Sequence, residues 1–409
     1  MAFISIIGLN YAPEPIGIGP YTQGWATSLA QRGHRVQVIC GAPYYPGWSL
    51  AAGYKNRFAG RVEDGVEVLR VPHYIPARPT AARRMAHYAS FAANAARAVH
   101  RQGSDFRPDA VVAIAPALLA APVALRLARK AGALSWLHIQ DFEVGAALAT
   151  SLLPASLANP ASRFERSAIK RFDHVSTIAP AMLDLARSKG AGAAQLHELR
   201  NWAEPGVGAA GIRPEDMRAE LGLPARKIAL YSGNLARKQG IDLILDTAER
   251  TRNRADLHFV VCGEGPAVTL VEQAAEALPN LHYRPLQPRS RLPELLAVAD
   301  IHMLPQLPGA ADLVLPSKLA NMLASGRPVV TSADPGTALA REVAGCGIVV
   351  STNDREAFAN AITALADDQD RRETLGNEAK IRANERWSRT GLLDAFGDAL
   401  ESALQDHRQ

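Results

Sequence analysis

Cysteine is scarce in this chain. Its 409 residues contain three, Cys40, Cys262 and Cys346. Each sits in or beside an apolar strand-like segment, and none has metal-ligand spacing to another. That pattern predicts reduced, buried thiols rather than a disulfide framework. Long apolar runs are also missing. No stretch approaches the roughly 18 residues that a bilayer span requires. The opening "MAFISIIG" lacks a basic leader and is too short for the core of a signal peptide, so a buried first strand is expected there. Aromatic residues make up only 6%, and few are interleaved with basic ones. With no nucleic-acid motif present, a nucleic-acid partner is not expected. No cluster of His, Cys, Asp or Glu has ligand spacing, so the expectation is a metal-independent protein without a cofactor.

What is present is an ordinary globular composition, 48% hydrophobic and 21% charged, long enough for two or three domains. The net charge of +5 is uneven. Residues 1–204 hold 22 Lys and Arg against 13 Asp and Glu, a net +9, while the remainder holds 23 against 27, a net −4. An excess confined to one half predicts an anionic partner for that half, either a membrane surface or a phosphorylated substrate.

Short apolar segments, many ending in Gly or Pro, recur along the chain and predict strands at 3–8, 35–41, 66–72, 109–116, 134–141 and 174–180. The pattern then continues at 227–234, 257–265, 281–287, 300–306, 327–333 and 347–351. Helical stretches alternate with them, among them 20–33, 82–102, 117–131, 241–253 and 355–367. Continuous apolar strands separated by helices indicate parallel sheets covered on both faces. The pattern restarts after "NWAEPGVGAAGIRPED" (201–216), a Gly/Pro/Ala-rich linker. The fold class is therefore α/β, with two doubly wound, Rossmann-like domains, and ligands are expected at the carboxyl ends of the strands in the cleft between them. The tail "WSRTGLLDAFGDALESAL" (387–404) reads as a helix capped by Ser388, with Leu393, Phe396 and Leu400 on one apolar face.

Three strand-to-helix turns of the second half point toward one anion of diphosphate size. "YSGNLARKQG" (231–240) places Gly233 and Asn234 at a strand end, followed by Arg237 and Lys238. Glycine lets backbone N–H groups approach a ligand, and paired cations neutralise it. "CGEGP" (262–266) supplies Gly263 and Gly265 at the next strand end. "LVLPSKLANMLASGRPVV" (313–330) brings Pro316, Ser317 as N-cap and Lys318 in a first helical turn, where a cation opposes the helix dipole unless an anion binds. Taken singly, each of these reads more readily as a solvated turn or a surface lysine.

Taken together and in order, "SGNLARKQGID", "VVCGEGP" and "PSKLANMLASGRPVV" resemble the family 4 retaining glycosyltransferases of GT-B fold, over nearly the whole chain. The N-terminal "LNYAPEPIGIGPYTQGWATSLAQRGHRVQVICGAPYYPGW" is similar to one branch, the bacterial exopolysaccharide and O-antigen transferases of the WcaI/WbuB type, associated with fucose-like donors. The resemblance implies an acceptor domain at 1–203, a nucleotide-sugar domain at 204–386, and a terminal helix at 387–409 crossing back to the first. It also implies that Arg237 and Lys238 grip the leaving pyrophosphate, assisted by Ser317 and Lys318. The family's ribose-binding Glu is Asn321 here, and its companion acidic position is Leu313, beside Asp312. Asn321 is either a neutral ribose ligand or an amide satisfied by the backbone.

On the acceptor side, "NYAPEPIGIGPYTQ" (10–23) carries Gly17, Gly19 and Tyr21 before a helix that starts near Pro20, and its length and glycines suit a phosphate or sugar. "LHIQDFE" (137–143) ends a strand. Alternation puts His138, Gln140 and Phe142 on one side and Asp141 and Glu143 on the other. The resemblance makes His138 the cleft histidine near the reacting centre, and Glu143 at the same strand end is a candidate acceptor ligand. The basic segment 75–102, with Arg78, Arg83, Arg84, Arg97 and Arg101, reads as a membrane-surface helix or as an ordinary helix with solvated charges. The expected activity is retaining hexosyl transfer from a nucleotide diphosphate sugar to a polyprenyl-diphosphate-linked saccharide, peripheral on the inner face of the cytoplasmic membrane. A sugar-nucleotide 2-epimerase of the same fold and a non-catalytic sugar-nucleotide-binding subunit are the alternatives.

Overall fold

The first strand, β1 (Phe3–Gly8), is apolar on both faces because helices cover both sides of its sheet. The computed structural model describes residues 1–144, 155–307, 315–352 and 354–409. It divides into two units, Met1–Arg200 with Leu393–Gln409, and Asn201–Leu392.

In the first unit, β1 is followed by α1 (Gly19–Gln31), β2 (Arg35–Gly41), β3 (Ala59–Glu63), β4 (Val66–Val71) and α2 (Ala81–Arg101). Next come β5 (Ala110–Ala115), α3 (Ala121–Ala131), β6 (Leu134–Ile139), α4 (Ala155–Arg171), β7 (His174–Thr177), α5 (Pro180–Ser188) and β8 (Leu196–Glu198). The sheet order is β3-β4-β2-β1-β5-β6-β7-β8, parallel throughout except for the β3–β4 hairpin. The chain reverses direction across the sheet at β1, so the loops after β1, β2 and β5 meet at a topological switch point. Apolar periodicity does not reveal β3, whose residues are mostly exposed, as an edge strand's are. Its signal is Asp64-Gly65, both at positive φ (50° and 79°), which is the two-residue hairpin turn that matches strand twist. The three-residue β8 also escapes the apolar-run criterion. Helix α3 starts later than expected. Residues 118–120 form a 3-10 turn behind Ala117, whose φ of 82° prevents a continuous helix from 117.

The second unit contains α6 (Pro214–Glu220), β9 (Lys227–Ser232), α7 (Ile241–Arg250), β10 (Leu257–Cys262), α8 (Val268–Ala277), β11 (Leu281–Arg284), α9 (Leu292–Ala297) and β12 (Ile301–Pro305). It continues with α10 (Lys318–Ala324), β13 (Val329–Ser332), α11 (Ala338–Val343), β14 (Gly347–Val350), α12 (Arg355–Asp367) and α13 (Gln369–Trp387). Its six strands run in the order β11-β10-β9-β12-β13-β14, all parallel, with the switch point beside β9. The end of the expected linker is already structured. Pro214 opens α6, and Met217 is buried with Leu295 and Leu296. The Cys thiols are free and buried.

The last helix, α14 (Arg389–His407), buries Leu393, Phe396 and Leu400. Within the first unit Phe396 meets Trp25 and Trp136 at ring-centroid distances of 5.7 Å each. Arg32 lies across Gly397 and reaches Asp394, Asp398 and Glu401, at 3.2, 2.8 and 3.3 Å. Exposed pairs are weak, but here one cation serves three carboxylates. Arg32→Ala is expected to lower the melting transition of the first unit by the equivalent of about 1 kcal/mol, and less in high salt. Calorimetry at two ionic strengths checks this, and an unchanged transition at low salt rejects it.

Candidate active site

In the second unit the anion-directed turns interlock. Gly233 follows β9 with φ 139°, and the Lys318 side chain crosses its open face. A Cβ placed there would stand 2.4 Å from Lys318 Cε. A Cβ on Gly263 would meet the Gly233 carbonyl oxygen at 1.8 Å, and one on Gly265 would meet Asn234 Oδ1 at 2.6 Å. Backbone bonds complete the pairing, Gly233 N–H to the Cys262 carbonyl (2.9 Å) and Leu235 N–H to the Glu264 carbonyl (2.7 Å). Glycine is thus required by close backbone approach as well as by dihedral angle. These contacts bring Gly233, Asn234, Gly263, Gly265 and Lys318 together.

Lys318 is held by Tyr231. Its Nζ donates to the Tyr231 hydroxyl at 2.6 Å and lies 4.2 Å from the ring centroid. Tyr231 in turn donates to the Asn234 carbonyl at 2.8 Å. Burial lowers the Lys318 ammonium from its ordinary 10.5 to about 8. Pro316 accepts the Leu319 N–H, and Ser317 occupies the N-cap position without a side-chain capping bond. This corrects the expectation that Ser317 caps through its hydroxyl. Its backbone is already helical, with φ −57° and ψ −20°. Arg237 is exposed in a 3-10 turn, Arg237–Gln239, and has no ion-pair partner among the described residues. The Lys238 side chain, Asp312 and Leu313 lie outside the described residues. Asn321 Oδ1 accepts the Glu204 N–H at 2.6 Å, so its carbonyl oxygen ties the 201–204 segment to α10. Glu204 is itself paired with Arg289.

In the first unit, Glu14 joins the loops after β1 and β2. This carboxylate is 4% exposed. It accepts Tyr44 N–H (3.0 Å) and Tyr45 N–H (3.1 Å) on Oε1, and Asn10 Nδ2 (2.8 Å) on Oε2. Desolvation raises its pKa, opposed by those hydrogen bonds. Gly17, with φ 76°, packs on the Tyr45 ring, Gly19 packs on Glu14, and Tyr21 is half-buried in the first turn of α1. Beside them, Trp48 adopts φ 50°, unusual for an aromatic residue, and the Arg84 guanidinium lies 5.5 Å from its ring centroid.

His138 is inside the unit at 1% exposure. Its Nδ1 pairs with Ser176 Oγ (2.8 Å), its Nε2 faces Gln140 Nε2 (3.1 Å), and Trp25 packs edge-on at 4.3 Å. Burial pushes its pKa down to about 3, so the ring is neutral. Its ring nitrogens face Ser176 and Gln140 inside the unit. Glu143 accepts Ala117 N–H (2.8 Å) and Leu118 N–H (2.7 Å), and so fixes the left-handed turn after β5. Sequence reasoning assigned no role to Glu14 or Tyr231. The one readable signal was Glu14, a carboxylate between two prolines in an otherwise apolar loop.

Two parallel α/β units, each with glycine turns at its switch point, define a doubly wound two-domain architecture, and the comparisons with known proteins place it in a family. Residues 17–202 match the glycosyl transferase 4-like domain, and residues 213–382 match the glycosyl transferases group 1. Over 345 residues the chain is 38% identical to the putative colanic acid biosynthesis glycosyl transferase WcaI of Escherichia coli K12, covering 82% of this chain and 84% of that one. It is 24% identical to the GDP-mannose-dependent alpha-(1-6)-phosphatidylinositol monomannoside mannosyltransferase of Mycolicibacterium smegmatis, over 92% and 93% of the two chains. The structure of Anabaena HepE in complex with UDP-glucose superposes with a TM-score of 0.66 at 15% identity, over 97% and 99%. The chain belongs to the family 4 glycosyltransferases of GT-B fold and, within them, to the WcaI type.

Proposed function

We propose that this glycosyltransferase moves a hexose, with retention of configuration, from a nucleotide diphosphate sugar to a polyprenyl-diphosphate-linked saccharide during exopolysaccharide or O-antigen synthesis. It works as a peripheral protein on the inner face of the cytoplasmic membrane. The observation that carries the reading is the second unit's interlocked turns, with one half-buried lysine laid across an open glycine. A diphosphate seated against the open face of Gly233 would meet the Lys318 ammonium, with Arg237 and Lys238 closing from the adjoining turn, while the Gly233 and Gly263 N–H groups stay bonded to the Cys262 and Arg284 carbonyls. These cations would stabilise charge on the departing diphosphate without a metal ion. Asn321 retains its amide NH₂ for a ribose hydroxyl. In the first unit, the loop organised by Glu14 presents Gly17, Gly19 and Tyr21 to the acceptor. Glu143 and His138 serve as positioning residues, for the 117–118 turn and for Gln140. The UDP-glucose bound by HepE supports a nucleotide-sugar donor, the name of WcaI supports a role in exopolysaccharide synthesis, and the phosphatidylinositol monomannoside in the mannosyltransferase's name supports a glycan acceptor built on lipid.

The deciding experiment is a nucleotide-sugar panel screened by thermal shift, followed by incubation of each stabilising donor with a lipid-linked acceptor. The expected product is a lengthened glycan whose new linkage has the donor's anomeric configuration by NMR. Hydrolysis or 2-epimerisation of the donor without transfer would overturn the reading.

Lys318 adds a pH dependence. Folded, it is less protonated than unfolded between pH 8 and 10.5, so its contribution to stability rises with pH across that window and is flat below 8. Diphosphate binding has the opposite sign, because it requires the ammonium. Affinity for a nucleoside diphosphate is expected to be constant up to pH 8 and then to fall by up to about tenfold per unit. Lys318→Arg should flatten this dependence. Calorimetric titrations at pH 7, 8, 9 and 9.5 test it, and a flat wild-type profile removes Lys318 from the diphosphate site.

A further inference from the structure

Helices α2, α3 and α4 are successive crossovers in one direction, β4 to β5 to β6 to β7. Right-handed connections therefore place them on one face of the first sheet, with α2 beside α3 and α3 beside α4. Together they carry eleven Lys and Arg and a single acid, Glu165. That acid is 2% exposed and already paired with Lys189. The outward charge of these three helices is therefore uniformly positive; the first acid along the layer is Asp184 on the next crossover, α5, paired with Arg187. It extends the basic character read from 75–102 across two further helices.

Between α3 and α4 lies a groove of about 380 Å³. Arg126 and Arg129 line it from α3 and Arg171 from α4, over Leu125, Phe164 and Ala168. None of the three arginines has an ion-pair or hydrogen-bond partner among the described residues. Helix-dipole complementarity accounts for a cation in a last turn. It does not account for Arg126 or for the lack of any exposed acid on α2, α3 and α4. Guanidinium groups bind phosphate oxygens in a bidentate fork, and an apolar floor beneath them suits the uncharged body of the same molecule. A free phosphate would leave that floor wet. A nucleic acid would call for stacking aromatics, and Phe164 alone does not supply them.

We infer that the α3–α4 groove is a binding site for the phosphodiester headgroup of an anionic phospholipid, and that it forms the centre of this protein's membrane-docking face. The inference deepens the peripheral-membrane part of the proposed function and rests on it.

The test is sedimentation of the full-length protein with vesicles of phosphatidylglycerol and phosphatidylethanolamine, against vesicles of phosphatidylcholine. Arg126→Gln, Arg129→Gln and Arg171→Gln combined should lower the partition coefficient on the order of 100-fold, three charges at about 1 kcal/mol each. Ser167→Glu, which adds an anion to the groove, should weaken binding in the same direction. Arg83→Gln, Arg97→Gln and Arg101→Gln combined, on α2, should have a smaller effect. Nucleoside diphosphate affinity, set by the second unit, should not change in any variant. If the wild type binds anionic vesicles and the α2 set abolishes binding while the groove set does not, the groove assignment fails and peripheral attachment stands. If the wild type ignores anionic vesicles, peripheral attachment itself fails, and the groove with it. If inorganic phosphate displaces the protein from vesicles far better than chloride at equal ionic strength, the groove is a site for free phosphate and the lipid assignment is overturned.

Discussion

Arg237→Ala is expected to lower kcat by about 100-fold or more while leaving the melting temperature of the protein unchanged. The two halves of that result have separate causes. Arg237 is exposed and has no ion-pair partner among the described residues, so its removal breaks no fold-supporting contact, and surface substitutions of this kind stay within about 0.5 kcal/mol. Its proposed work is done only when charge develops on the departing diphosphate. Removing one preorganised group of that kind costs on the order of 100-fold to 1,000-fold. Lys238→Ala should lower kcat by a similar factor, and Arg237→Lys should restore only part of the loss, since a point charge replaces a bidentate fork. The measurement is initial rate at saturating donor, alongside a thermal melt. Wild-type turnover in Arg237→Ala would remove the residue from the leaving-group site. A matching fall in melting temperature would mean that the loss is structural.

Gly263→Ala should have the opposite profile. Its added Cβ would stand 1.8 Å from the Gly233 carbonyl oxygen and 3.3 Å from Leu235 Cγ. The first contact is with backbone in the end of a central strand, which cannot swing away as a side chain could. Overpacking of a well-fitted site costs typically 1–3 kcal/mol and occasionally more. Here the shift must also break the Gly233 N–H bond to the Cys262 carbonyl, so a loss of about 3 kcal/mol or more is expected. The effect should be confined to the second unit, whose core is separate. Calorimetry should therefore show one transition moved and the other retained, and nucleoside diphosphate binding should be lost together with the moved transition. Retained donor affinity in a variant of normal stability would mean that the two turns are not locked as described.

Some of this protein was determined by its sequence alone. The central parallel strands, among them β1, β2, β5, β6, β10 and β12, were readable because a strand buried on both faces has to be largely apolar. The restart of the pattern near 201–216 placed the second unit for the same reason, since each sheet needs its own run of buried segments. The glycine turns at 233, 263 and 265 were visible as residue types at strand ends, where turn chemistry is local. Only the tertiary structure decided which groups meet. Lys318 and Tyr231 are 87 residues apart, and no periodicity links them. They come together because β9 and α10 border the same switch point. Burial also lay beyond the sequence. His138 is a neutral core imidazole because Trp25 and Ser176 close over it, and Asn321 spends its oxygen on Glu204 from a distant segment. The Arg126, Arg129 and Arg171 groove is of the same kind. Each arginine is unremarkable on its own helix, and they become one site only because successive right-handed crossovers lay α3 and α4 side by side.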